Sequence, residues 1–178
     1  EGLQQVLREP FVWVEEHHDL SPISKGQATE AFEDLAKAED RATSDYSGRY
    51  AIELLQNAHD ASADYGKPGL AWFSVTNTAL LVGNQGEPFN EKRLRSLMRF
   101  GSSEKAKDHA SRSTIGYKGI GFSAVFEICT TPQIWSESVA FEFDRVRANA
   151  LLKKHLGKFA ERVPSRRFPF EIDADDLG

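Results

Sequence analysis

One cysteine and one methionine stand among 178 residues, and no apolar run approaches the 18 or so residues of a membrane span. Cys129 alone can close no internal disulfide and build no cysteine zinc cluster. That points to a reducing, cytoplasmic (intracellular) setting and to the thiol as a small buried hydrophobe. No secretory pattern opens the chain, and the start at Glu1 without a methionine leads us to expect an N-terminal piece of a longer protein. Positive charge is not in excess: 22 Lys and Arg against 27 Asp and Glu leave a formal charge of −5, so neither a nucleic acid nor a membrane partner is indicated. The pairs Lys153-Lys154 and Arg166-Arg167 are too short for a basic patch and read as solvated surface. His17 and His18, adjacent on a helix, face different sides, and spacing supplies no third metal ligand. Internal repeats and low-complexity segments are also missing. What remains, with 40% hydrophobic residues, suffices for one core, so we expect a single domain over 1–178.

Periodicity divides the chain. Leu3, Val6, Leu7, Phe11 and Val14 mark a helix over 3–18 that stops at Ser21-Pro22, followed by helices over Gln27 to Arg41 and Tyr46 to Tyr65. Leu70 to Val75 and Leu80 to Val82 read as a hairpin, and Asn90 caps a helix carrying Leu94, Leu97 and Met98 up to Gly101. The segment 101–114 has no apolar periodicity and reads as a mobile functional loop. A helix over Phe122 to Ile128 follows, then strands over Gln133 to Trp135 and Val139 to Phe143. A helix over Arg145 to Phe159 and a strand over Phe168 to Ile172 complete the pattern. Helices interleaved with hairpin-like strands predict an α+β fold in two layers, helices on one face of a mixed sheet.

The segment Glu53-Leu54-Leu55-Gln56-Asn57-Ala58-His59-Asp60-Ala61 holds the most chemistry. With Glu53 at zero on a wheel of roughly 100° per residue, Asn57 falls at about 40°, Asp60 at about 340° and Asp64 at about 20°, one polar stripe. Leu54, Leu55, Ala58, Ala61 and Tyr65 form the opposite face, expected to be buried, and His59 reads as a solvated residue. Downstream, Gly116-Tyr117-Lys118-Gly119-Ile120-Gly121-Phe122 opens a helix. A glycine-rich turn at a helix start offers free N–H groups and a positive dipole end to a phosphate. No strand leads into it with an acidic residue about 20 positions on, and no Gly-Lys-Ser/Thr follows, so neither a Rossmann nor a P-loop site fits.

Taken in order, Glu53/Asn57/Asp60, Asn84-Gln85-Gly86, a polar segment and the 116–122 turn resemble the motif set of the GHKL or Bergerat-fold ATPases. Within that superfamily they look most like the sacsin-type domains, over roughly residues 46–144. The resemblance implies a Bergerat two-layer α/β sandwich with a mostly antiparallel sheet covered on one face by helices. It also implies ATP and Mg²⁺ as ligands. Residue by residue, it makes Glu53 the general base for the water that attacks the γ-phosphate and Asn57 the Mg²⁺ ligand, with Asp60 behind them. Asn84 stands where the family has an Asp that accepts from the adenine amino group, and Gly86 lets the backbone approach the base. Gly116, Tyr117, Lys118, Gly119, Ile120, Gly121 and Phe122 cradle phosphates, and 101–114 becomes a lid with Lys105 and Arg112 as phosphate contacts. The family's late-strand Thr has no counterpart that this sequence places.

Two functions follow from that resemblance. One is an ATP-hydrolysing domain whose nucleotide cycle drives closure or dimerisation, controlling further domains of the same polypeptide or a homodimer partner. The other is an interaction module that binds ATP as a conformational ligand without significant turnover. A retained base favours the first, and loss of the adenine Asp favours the second. A sensor kinase ranks below both, because no phosphoacceptor His sits in a dimerisation hairpin.

Overall fold

The structure is a computed structural model that describes residues 2–16, 21–66, 69–98, 121–137, 139–157 and 163–173. In chain order the elements are α1 (Gly2–Glu16), α2 (Pro22–Asp45), α3 (Tyr50–Tyr65), β1 (Ala71–Val75), β2 (Leu80–Asn84) and α4 (Glu91–Met98). Then come β3 (Gln133–Ser136), β4 (Val139–Phe143), α5 (Arg145–Leu156) and β5 (Pro169–Glu171), with short 3₁₀ helices at Gly121–Glu127 and Ser165–Arg167. The segment 101–114 and residues 116 to 120 lie outside the described residues, as do His17 and His18.

The class is α+β, but the expected single mixed sheet is, among the described residues, two small antiparallel ones. β1 pairs with β2, Trp72 opposite Gly83, and β4 lies between β3 and β5 with Phe141 opposite Ile134 and Glu171. Alternating side chains identify a strand and its faces; they do not say which edge meets which, and here the expectation overreached. No described helix is long and apolar enough to cross a membrane.

α1 links two apolar clusters. Its Val6 and Leu7 pack with Leu94, Leu97 and Met98 of α4 and with Val139, Phe141 and Phe143 of β4. Two turns later Val14 packs with Ala148, Leu152 and Leu156 of α5 and with Val163 and Phe168. In β4 the residues 139, 141 and 143 are buried and those between are half-buried, the period of a strand with one covered face. Each of the two Phe side chains of β4, both fully buried, contributes about 2 to 3 kcal/mol of transfer free energy.

Local chemistry moves several boundaries from where the sequence put them. Ser21-Pro22, read as a stop, also starts α2, which begins at Pro22 rather than at 27. The Ser21 hydroxyl accepts from the Ser24 N–H at 3.2 Å and Pro22 takes the first turn, where its missing donor costs nothing. α3 begins at Tyr50 rather than 46 because Ser47 and Gly48 are held in a turn by Glu127. The helix expected over 122–128 is 3₁₀ over 121–127, since an apolar pattern this short cannot separate a period of 3.0 from 3.6. Cys129 is half-buried rather than buried. Lys153 and Lys154 are exposed as expected, whereas Arg166 is 1% exposed, the reverse of a solvated residue.

Candidate functional site

α3 organises the site. Its Glu53 is buried, 7% exposed, although a carboxylate in that state is costly without partners. One partner is Arg49, one turn earlier, whose Nη2 lies 3.2 Å from Glu53 Oε1. The other neighbour is backbone: a Cβ at Gly121 would lie 2.1 Å from Glu53 Oε2, so any larger residue there would push the carboxylate aside. The 121–127 helix packs on α3 and on α2 and thereby covers the Glu53 side. This rotates the buried face of α3 toward the polar stripe. Glu53, Ala58 and Ala61 are buried, while Leu55, expected inside, is 53% exposed. Asn57 is exposed, Asp60 is half-buried, and His59 is exposed with its Nδ1 3.4 Å from Asp60 Oδ1.

The C-terminal half of α3 receives the end of the hairpin. Ser62 donates its hydroxyl to the carbonyls of Ala58 and Gln85, each at 2.9 Å, and the Glu87 N–H donates to Ala61 O at 2.9 Å. Between them Gly86 passes so near that a Cβ would meet Ala61 atoms at 2.7–2.8 Å; in this structure its missing side chain serves packing on α3. Asn84, the last residue of β2, is exposed beside it. Glu53 and Ala61 are about 12 Å apart along the helix axis, so one helix fixes two separate contact points. Its start is fixed as well, because the Glu127 carboxylate accepts from Ser47 Oγ and Gly48 N, both at 2.6 Å, which holds that acid below its ordinary range.

The structure thus brings Glu53, Asn57, Asp60, Gly86 and Gly121 to one helix and places Asn84 at its end. The ring of Phe122 packs against Phe126 and Phe143 in the first apolar cluster. Lys105, Arg112, Gly116, Tyr117, Lys118, Gly119 and Ile120 lie outside the described residues. Sequence reasoning missed Arg49, Ser62 and Glu127. Arg49 could have been found, since Arg and Glu four apart on a helix face each other; the other two act across the fold and leave no local signal. Concave regions of about 990 and 470 Å³ lie along α1 instead, bordered by Trp13 and Glu9. They gather no buried carboxylate, so the chemistry favours α3.

A carboxylate and an amide oxygen one helical turn apart, with a glycine backbone close by, suit a hard cation together with phosphate oxygens. Among the described residues no cluster of three or more His, Cys, Asp or Glu could hold a metal ion, so a cation here would need oxygens from a ligand besides Asn57. No family model matches the chain, and no solved structure matches it. Over 96 residues it is 35% identical to Protein NO VEIN of Arabidopsis thaliana, a stretch covering 53% of this chain. The chain spans 3% of that protein's length.

Proposed function

We propose that α3 and the segments docked on it form a Mg²⁺-dependent ATP site of the GHKL or Bergerat type, closest in its motifs to sacsin-type domains, and that the site hydrolyses ATP. What carries this reading is the buried Glu53 carboxylate against Gly121, the last glycine of the Gly116-x-x-Gly119-x-Gly121 motif, on the helix face that also bears Asn57 and Asp60. Glu53 takes the proton from the attacking water, and its burial keeps its orientation fixed. Asn57 offers its amide oxygen to Mg²⁺, which when bound offsets charge on the phosphates. Asn84 and Gly86, about two turns along, would face the base. In a longer protein, the nucleotide state would control neighbouring domains or pairing with a second copy.

Titration with a non-hydrolysable ATP analogue, with and without Mg²⁺, tests the site. Mg²⁺-dependent binding is expected, and absence of binding in both conditions sinks the proposal. The alternative, an ATP-binding module without significant turnover, is favoured by the Arg49–Glu53 pair, which occupies the carboxylate that hydrolysis needs. Turnover measured on the same sample separates the two.

A further inference from the structure

Arg166 is the largest fully buried side chain described, and it sits in none of the motifs that define the ATP site. Its Nη1 donates to Ser123 Oγ at 2.7 Å and its Nη2 to Leu97 O at 2.8 Å, while the guanidinium carbon lies 5.9 Å from the centre of the Phe122 ring. Behind it, the buried Glu39 of α2 accepts from the Arg166 backbone N–H and lies 3.5 Å from Ser165 Oγ. The Arg166 side chain therefore ties the end of α4 to the 121–127 helix, and its backbone N–H joins both to Glu39 of α2.

Stability alone gives weak reason for an arginine here. Removing a guanidinium and a carboxylate from water is costly, and an apolar side chain of similar volume fills such a space at least as well. Arginine differs in its rigid fork, which fixes two acceptors in one geometry. One of those acceptors is Ser123, two residues from Gly121, whose backbone abuts Glu53 Oε2.

We propose that Arg166, held by Glu39, is a positioning residue that sets the Gly121–Ser123 backbone at the spacing from Glu53 required for nucleotide turnover. This rests on the ATP reading of the site. Burial pulls the Arg166 guanidinium down to about 10 against the attraction of Glu39. It pushes Glu39 up to about 7 against Arg166, Arg145 and Arg167.

The test measures ATP turnover and analogue affinity on the whole chain carrying Ser123→Ala, Arg166→Lys or both. Lysine keeps the charge but cannot span Ser123 and Leu97 together. The expected outcome is a kcat roughly tenfold lower for Arg166→Lys, a smaller loss for Ser123→Ala, and analogue affinity within about threefold of the parent in each. The double variant should be no slower than Arg166→Lys, because the two changes break one link. If Arg166→Lys fails to fold, Ser123→Ala decides alone. Parental kcat in folded Ser123→Ala, a matching loss of affinity, or single losses that multiply in the double variant overturns the proposal. A parent that binds no nucleotide refutes the ATP site itself and the positioning role with it, whereas an active parent with unaffected variants refutes the positioning role only.

Discussion

Replacing Gly121 by alanine puts a methyl group 2.1 Å from Glu53 Oε2 and 2.9 Å from its carboxyl carbon. Ordinary carbon–oxygen contact begins about 1 Å further out, so one of the two must yield. The 121–127 backbone is the harder to move, because Phe122 packs on Phe126 and Phe143, and Ser123 is bonded to Arg166. Glu53 is therefore expected to swing away by about 1 Å, toward Arg49 or solvent. A displacement of that size costs a catalytic group roughly 10²-fold in rate while leaving ground-state binding nearly untouched. Steady-state turnover and analogue titration read both quantities. The decisive comparison is with Glu53→Ala: once the carboxylate is gone the methyl has room, so Gly121→Ala should add no further loss in that background. Unchanged turnover in Gly121→Ala, or full additivity with Glu53→Ala, would refute the contact as a source of rate.

Glu53→Ala alone should remove turnover by about 10² to 10⁴-fold with analogue affinity held within a few-fold, and equal turnover in parent and variant rules out Glu53 as the base. Asn57→Ala should weaken analogue binding only when Mg²⁺ is present; the same loss in EDTA means that Asn57 is no ligand. Asn84→Asp should sharpen ATP over GTP preference by roughly 1 to 2 kcal/mol, since an amide can turn either its oxygen to adenine or its NH₂ to guanine and a carboxylate only accepts. Competition between the two analogues checks it, and an unchanged ratio places Asn84 off the base. Burial raises the Glu39 pKa from 4.5 to about 7, so the stability that its neutral form contributes is complete below about pH 4.5 and is lost as pH rises through 7, about 3 kcal/mol in all. Glu39→Gln should lack that slope in denaturant melts between pH 4 and 8, and parallel curves for parent and variant would contradict it.

Which parts of the molecule were legible in its sequence follows from the range of each interaction. The 3.6 and 2.0 periods are local, so α1, α3, the hairpin and β4 stand close to where the pattern placed them. The same locality put Glu53, Asn57 and Asp60 on one helix. It missed the helix start at Ser21-Pro22 because a helix stop and a helix start can use the same two residues, and a stop was read there alone. It failed at Leu55 because the buried face of a helix depends on what docks there, here the 121–127 helix some seventy residues away in sequence. Arg166 was out of reach for the same reason: its acceptors at 97 and 123 and its acidic neighbour at 39 belong to three separate elements, so in sequence it resembles any solvated arginine.

These long-range contacts also explain how one helix can hold two chemically different segments in register. At its start α3 is fixed by Glu127 through Ser47 and Gly48, and Glu127 closes the helix that begins at Gly121. Near its end it is fixed by Ser62 and Ala61 to the backbone of Gln85 and Glu87. Neither attachment touches the other, and two routes join them: α3 itself, with a rise of about 1.5 Å per residue, and α4, whose Leu97 carbonyl accepts from Arg166 beside Ser123 and whose Arg93 donates to Glu87 O. A side chain that loosens one attachment is expected to disturb its own end of the candidate site more than the other. Rate and base selectivity, proposed for opposite ends of α3, are therefore expected to be separable by mutation.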